Sequence, residues 1–351
     1  MSDTNLTAVL YKKDDIRLEE RPVTDPSPGE VQIAVHSCGI CGSDVHYWKH
    51  GAIGDFIVNA PMVLGHESSG TVTKVGQGVS HLKIGDRVAV EPGVPCRVCD
   101  FCKSGRYNLC PEMRFLATPP IHGDLSRFHN HAADFCFKLP DHVSFEEGAL
   151  LEPLSVGVHA CKRAGVSIGN KVLVCGAGPI GLVCMMVAKA MGASIVVMTD
   201  ISAERLEFAK KVGADDVIRV ESRDPKVNAS IIEKTLGSAA DVTIECSGAE
   251  PSVQAGIYAT KSGGMLVLVG LGAAEVKLPI VNAATREVDI RGIFRYANSY
   301  PTALAMVASG AVNVKPLVTH HFPLEKTLDA FETALTGAGG AVKVVIDCFK
   351  K

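Results

Sequence analysis

Cys96, Cys99, Cys102 and Cys110 give the spacing C-x2-C-x2-C-x7-C in a loop that also carries Pro92, Pro95, Gly105 and Pro111. Four thiolates so spaced fit a closed tetrahedral structural zinc, which would staple a loop with little apolar content of its own. An iron–sulfur cluster or two disulfides are the competing uses of the same residues. Nothing nearby suggests an electron-transfer chain, and the N-terminus shows no apolar leader run, so the twelve cysteines are expected to be reduced.

A second set is more dispersed. Cys41 opens Cys41-Gly42-Ser43-Asp44-Val45-His46-Tyr47, and twenty-five residues after Cys41 comes Gly65-His66-Glu67. Thiolate and imidazole suit zinc, and a position left open for water or substrate marks a catalytic site. The plainer alternative is a buried thiol and a satisfied histidine; His36, Cys38 and His50 are read that way. Glu152 lies among apolar residues in Leu150-Leu151-Glu152-Pro153-Leu154. Ionised there, it needs a partner: a metal ion, or a polar pocket at a helix end.

The third set is expected to bind phosphate, the plainer alternative being a glycine-rich turn with no ligand, and its context favours a dinucleotide. Gly176, Gly178 and Gly181 spell G-x-G-x-x-G after the apolar run Lys171–Cys175, with a helix expected over Ile180–Met191. Gly176 permits the turn, Gly178 lets a pyrophosphate touch backbone, Gly181 lets helix and strand approach, and the helix N-terminus aims N–H groups at the phosphates. Asp200 ends the apolar run Ile195–Thr199, nineteen residues past Gly181, where a carboxylate accepts from ribose hydroxyls. An acid opening the helix Ser202–Lys211 is a compatible second role. Two unit charges about 4 Å apart at an effective dielectric near 20 repel by roughly 4 kcal/mol, so a 2′-phosphate beside Asp200 binds about a thousandfold worse. NAD is expected over NADP, with Arg205 able to soften the preference.

These residues need two bodies. At 351 residues the chain exceeds one ordinary core, its net charge of −3 argues against a nucleic-acid partner, and no eighteen-residue apolar span crosses a membrane. A soluble cytoplasmic protein is expected. Residues 1–90 read as strands and turns, in Thr7–Leu10, Val31–Ser37, Gly70–Val75 and Arg87–Val90, with Pro22–Glu30 a connection. Residues 119–139 read as polar turns with a strand at Asp134–Leu139, and helices are expected from Ser144 and over Val156–Ala164. Strands at 171–175, 195–199, 217–219, 242–245, 265–269 and 288–292 alternate with helices, predicting a doubly wound six-stranded parallel sheet with its ligand at the strand C-termini. Val269-Gly270-Leu271-Gly272 is one such terminus. A helix over Tyr300–Ser309 and a strand over Val342–Cys348 follow.

Taken together, the four-cysteine loop, the glycine turn, Gly39–Tyr47, Gly65-His66-Glu67, Leu151-Glu152-Pro153 and Phe294-Arg295-Tyr296 resemble the zinc-dependent medium-chain alcohol dehydrogenases, most closely their polyol branch, over essentially the whole chain. The resemblance implies an α/β fold: a GroES-like β-rich catalytic domain (1–155 and 291–351) interrupted by a Rossmann domain (156–290), with the active site in the cleft between. It implies Cys41, His66 and Glu67 as catalytic zinc ligands, with water as the fourth. Glu152 stands where the alcohol dehydrogenases carry a second cysteine, which leaves open direct zinc binding, contact through the water and contact with substrate, the last two being favoured at rest. Tyr47, Glu152, Arg295 and Tyr296 match polyol-contacting positions. Gly176, Gly178, Pro179, Ile180, Gly181, Asp200, Arg205, Val269, Gly270, Leu271, Ile293, Phe294 and Arg295 match cofactor-contacting ones. Some polyol-branch members lack the four-cysteine set; its presence implies two zinc ions per subunit, and the family implies a homotetramer.

The expected chemistry is hydride transfer between C2 of a polyol, such as sorbitol or xylitol, and NAD. Removing an alcohol's proton near neutral pH costs about 12 kcal/mol without help, and zinc removes most of that. Ser43 would accept the proton and His46 pass it to solvent. Arg, Glu and Tyr in a pocket suit a polyhydroxylated chain, since a simple alcohol would leave them unpaired. The rivals are a threonine- or butanediol-type zinc dehydrogenase and a non-catalytic redox sensor that binds both zinc and dinucleotide.

Overall fold

Two kinds of apolar run build two different sheets. A computed structural model describes residues 4–349, and the chain divides into two compact units: residues 1–152 with 314–351, and residues 153–313. Residues 291–313, expected with the catalytic part, lie with the dinucleotide unit, because Asp289–Gly292 pairs as the last strand of its sheet and Tyr300–Ala308 follows as a helix.

In the first unit, strands whose Val and Ile alternate with Ser and Thr form a largely antiparallel seven-stranded sheet. Its order is Cys136–Lys138, Arg87–Val90, Glu67–Val75, Glu30–Gly39, Lys343–Asp347 and Val318–Pro323, and Phe128–Ala132 also pairs with Glu30–Gly39. Phe128–Ala132 falls in the stretch read as polar turns, and the strand expected over Asp134–Leu139 is only Cys136–Lys138, after a 3-10 turn at Ala133–Phe135. Register matters at one point: Gly39 faces Glu67 on one side and Val345 on the other. A first-unit strand near each end of the chain is thereby brought to one spot.

Within residues 1–90, read as strands and turns, Gly42–His50 is a helix. Cys41 caps it in extended conformation, its backbone N–H donates to Asp44 Oδ2 at 3.2 Å, and Gly51 ends it at φ 76° with its N–H on the Tyr47 carbonyl at 2.8 Å. Polar cap and glycine stop outweigh the strand-rich surroundings. Trp48 meets Phe331 of the helix Thr327–Thr336 edge-on at 5.8 Å and fastens the helix to the core. The helix expected from Val156 begins at Leu151, so Glu152 stands in its first turn, where Pro153 costs no intrahelical hydrogen bond.

The second unit carries the six-stranded sheet, every neighbouring pair parallel. Its order is Asp216–Arg219, Ile195–Asp200, Lys171–Cys175, Ala240–Glu245, Thr260–Leu268 and Asp289–Gly292. Val172, Leu173 and Val174 are all fully buried, as expected of a strand covered on both faces. Strand order reverses between Lys171–Cys175 and Ala240–Glu245, which opens the ligand crevice at their C-terminal ends.

Candidate metal centres and dinucleotide site

The four cysteines converge. All four Sγ atoms lie within 4.8 Å of one another, with Cys99 to Cys102 at 3.4 Å and Cys96 to Cys102 at 3.9 Å. Zinc–sulfur bonds near 2.3 Å in a tetrahedron set sulfur atoms about 3.8 Å apart, so the cage suits a single ion rather than a cubane cluster. The twelve cysteines are free thiols, which removes the disulfide alternative. Backbone N–H groups of Val98 and Cys99 bring the Cys96 thiol down to about 7, whereas burial, then the Cys99 thiol, pushes Cys102 up to about 12. Arg97, between the first two cysteines, takes φ 68° as the backbone wraps the cage.

Cys41, His66 and Glu67 form the second group, their donor atoms likewise within 4.8 Å of one another. Cys41 comes from the helix cap, and His66 and Glu67 from the start of the strand Glu67–Val75. Gly65 reaches the turn before them at φ 88°. Gly39 is required too: a Cβ there would lie 2.2 Å from Glu67 Oε2. Sulfur, imidazole and carboxylate, Cys41 half-buried and the other two buried, are a donor set that suits a zinc ion with a position open. The surroundings favour a cation: burial opposes a charged His66, yet Asp44 and Cys41 outweigh it and hold the ring's pKa well above the usual histidine value.

Two side chains that the sequence reading gave no role complete this group. Asp44 is buried; it accepts from Cys41 N at 3.2 Å and Gly65 N at 3.1 Å, and its Oδ1 stands 3.5 Å from His66 Nδ1. At that distance the carboxylate acts on the ring through its charge, and His66 Nδ1 makes no hydrogen bond. Its sequence signal was the cap spacing Cys41-x-x-Asp44. Lys343, 4% exposed, donates to Glu67 Oε1 at 2.8 Å and Oε2 at 2.7 Å and to the Ile40 carbonyl at 3.2 Å. Burial pulls its pKa down, but Glu67, Cys41 and Glu152 overcome this and the net shift is upward. A lysine inside the apolar strand Lys343–Asp347 was the signal.

Glu152 is buried, and its charge reaches both Lys343 and Glu91, but it is not one of the three clustered donors. Glu91 accepts from the Tyr107 hydroxyl at 2.6 Å; burial raises its carboxyl to about 7, with that hydrogen bond working the other way. Ser43 and His46 share the helix Gly42–His50 at i, i+3 spacing, which sets them on one face. His46 is exposed, and burial of part of its ring, then His50 at 4.4 Å between centroids, lowers its pKa. Tyr47 is buried in the first unit's core cluster.

In the second unit, the glycine turn is built as its spacing requires. Gly176 takes φ 98°, a Cβ on Gly181 would lie 1.9 Å from the Gly176 carbonyl oxygen, and nothing lies within 4 Å of where a Cβ on Gly178 would stand. That open space leaves the Gly178 backbone within reach of a phosphate. The helix runs Pro179–Ala190 with Gly178 as cap and Pro179 in the first turn, so Pro179, Ile180 and Gly181 present the helix N-terminus. Asp200 Oδ2 accepts from Ala177 N at 2.7 Å and Oδ1 from Ser202 N at 2.8 Å, which leaves other lone pairs for a ribose. Arg205 is exposed in the following helix. Val269 and Gly270 donate to the Glu245 carbonyl at 2.8 and 2.9 Å, and Leu271 projects 83% exposed. Ile293, Phe294, Arg295 and Tyr296 follow the last strand; Arg295 takes φ 52° and lays its guanidinium over the Phe294 ring at 4.7 Å, while Tyr296 is buried against Tyr300.

Among known proteins, the family described as alcohol dehydrogenase GroES-like domain matches residues 27–141, and that described as zinc-binding dehydrogenase matches residues 179–309. A sorbitol dehydrogenase of Bos taurus is 62% identical over 98% of this chain and 96% of its own length. The crystal structure of an Escherichia coli oxidoreductase/dehydrogenase of unknown specificity is similar with TM-score 0.92 and 36% identity, covering 98% of this chain and 99% of that one. That of 2R,3R-butanediol dehydrogenase from Bacillus subtilis gives TM-score 0.89 and 30% identity, covering 98% and 99%. Two such family matches, together with relatives similar over nearly their full length, establish that the chain belongs to the zinc-dependent medium-chain dehydrogenase family.

Proposed function

We propose that this chain is an NAD-dependent polyol 2-dehydrogenase that interconverts a polyol such as sorbitol or xylitol and the matching 2-ketose. The observation that carries the proposal is the group of half-buried Cys41 with buried His66 and Glu67, with an acid rather than a further cysteine at position 152. The high identity to a sorbitol dehydrogenase points the same way.

Zinc, when bound, supplies the Lewis acidity that makes a secondary alcohol's proton removable near neutral pH. Cys41, His66 and Glu67 hold it, Asp44 acts on His66 through its charge, and Lys343 orients Glu67. Glu152 accepts a hydrogen bond from a water or from the substrate. Ser43 takes the hydroxyl proton, and His46, its pKa lowered, is neutral above its usual value and passes that proton to solvent. Arg295 is a donor for the remaining hydroxyls, whereas Tyr47 and Tyr296, also expected to meet them, are each 3% exposed within their own units; Asp200 excludes the 2′-phosphate of NADP. A second zinc in the cage of Cys96, Cys99, Cys102 and Cys110 is structural.

A homotetramer fits the uncovered edge of the strand Asp289–Gly292 and the apolar Ile280 and Val281, 54% and 77% exposed, near it in sequence. Free thiols throughout fit a reducing, cytoplasmic setting; among the described residues no helix is long and apolar enough to cross a membrane.

The test is NADH appearance on adding sorbitol and NAD to zinc-replete protein, with parallel samples holding xylitol, 2,3-butanediol or threonine, a chelator, or NADP. Chelator-sensitive, NAD-preferring turnover of polyols is expected. Faster turnover of butanediol would move the assignment to that activity, a reading favoured by the likeness to the Bacillus subtilis structure.

A further inference from the structure

Glu245 ends the strand Ala240–Glu245 with no solvent exposure, at the switch point of the parallel sheet. A buried carboxylate must be matched by donors, and this one is matched by a single short turn and the helix after it. Oε1 accepts from Ser247 N at 3.0 Å, from the Ser247 hydroxyl and from Ser252 Oγ at 2.9 Å; Oε2 accepts from Gly248 N at 2.9 Å. The backbone carbonyl of the same residue accepts from Val269 N and Gly270 N. One residue therefore grips two turns, by its side chain and by its main chain.

Those turns interlock too closely for any side chain between them. A Cβ on Gly270 would lie 2.3 Å from Gly248 N, and one on Gly272 would lie 1.8 Å from the Gly248 carbonyl oxygen. Gly248 itself takes φ 71°, and its own Cβ would lie 2.6 Å from the Leu271 backbone. On the other side, a Cβ on Gly176 would lie 3.2 Å from Ser247 N, so the turn at 246–248 is wedged between the phosphate turn and residues 269–272.

The order of the strands says which part of a dinucleotide this wedge faces. Asp200 closes the strand on one side of Lys171–Cys175, Gly178 follows Lys171–Cys175 itself, and Glu245 closes the strand on the other side. A ligand with its adenosine ribose at Asp200 and its pyrophosphate at Gly178 carries its nicotinamide half on towards 246–248 and 269–271. We propose that Glu245 is a positioning residue for the nicotinamide half, presetting the backbone of both turns before the cofactor arrives. The inference rests on the dinucleotide reading given above and adds a residue that makes no contact with the cofactor itself.

The experiment uses full-length, zinc-replete protein and two probes: NADH, and ADP-ribose, which shares the adenosine, the pyrophosphate and the second ribose but lacks the ring. In Glu245→Gln the amide NH2 faces a backbone N–H that had an acceptor. The expected result is NADH affinity weakened roughly tenfold, the size of one lost charge-assisted hydrogen bond, with ADP-ribose affinity changed less than about twofold. Ser252→Ala, which removes one donor without adding bulk, is expected to weaken NADH about threefold with ADP-ribose unmoved, and it decides the matter if the glutamine protein does not fold. Equal loss of both probes, or loss of neither, overturns the positioning role. Unaltered protein that binds NADH no more tightly than ADP-ribose overturns instead the placement of the ring, whatever the variants do.

Discussion

Lys343→Met offers the sharpest test of how the Cys41–His66–Glu67 group is balanced. The ammonium donates to both oxygens of Glu67 with both side chains almost wholly buried, so removing it leaves a carboxylate uncompensated inside the protein. Breaking a buried pair from one side costs about 3–5 kcal/mol. At roughly 2–4 °C per kcal/mol for a body of this size, the metal-stripped variant should melt about 6–20 °C below stripped native protein. A zinc ion on Glu67 replaces the missing positive charge, so the gap between zinc-loaded proteins should be much smaller. Lys343→Arg keeps the charge and should recover most of the loss, and Glu67→Gln combined with Lys343→Met should cost less than the two single changes added. The pH dependence has a definite sign. A lysine raised in the folded state contributes stability that is complete below its unfolded value of 10.5 and disappears as pH climbs through the raised one. The stripped-protein gap should thus stay flat from pH 7 to about 10 and close above that. Paired thermal melts by circular dichroism read all of this. Stripped Lys343→Met melting within about 2 °C of stripped native protein, a shift worth less than about 1 kcal/mol, would refute the reasoning.

The four-cysteine cage makes a prediction about protons. With burial pushing Cys102 up to about 12 and raising Cys110 as well, at least two of the cage's thiols keep their protons at neutral pH before metal arrives, so closing the cage on zinc should release at least two protons. Zinc titration of stripped protein in weak buffer with an indicator dye, compared with a Cys96→Ser/Cys99→Ser protein, measures that difference; a difference of one proton or fewer contradicts it. For cofactor choice, Asp200→Asn keeps the side chain's shape and removes its charge. The NAD-over-NADP ratio of kcat/KM should fall by about two to three orders of magnitude, and a change under about tenfold would place the discrimination elsewhere.

Sequence alone determined what depends on local spacing. Four cysteines within fifteen residues have few ways to share a metal, and G-x-G-x-x-G between an apolar run and a helix marks a strand, turn and helix, so cage, turn and a six-stranded parallel sheet were legible, though not the order of its strands. Asp44 was half legible, since a cap at Cys41 calls for an acceptor three residues on, but the strand-rich composition around it masked the helix. Only tertiary structure decided the rest. Lys343 meets Glu67 across 276 residues because the late strand Lys343–Asp347 pairs beside Glu30–Gly39, a register that no local pattern encodes. Glu245 read as the end of an apolar strand until the turns at 248 and 270 closed over it. Residues 291–313 likewise joined the dinucleotide unit through strand pairing, a long-range choice invisible in composition.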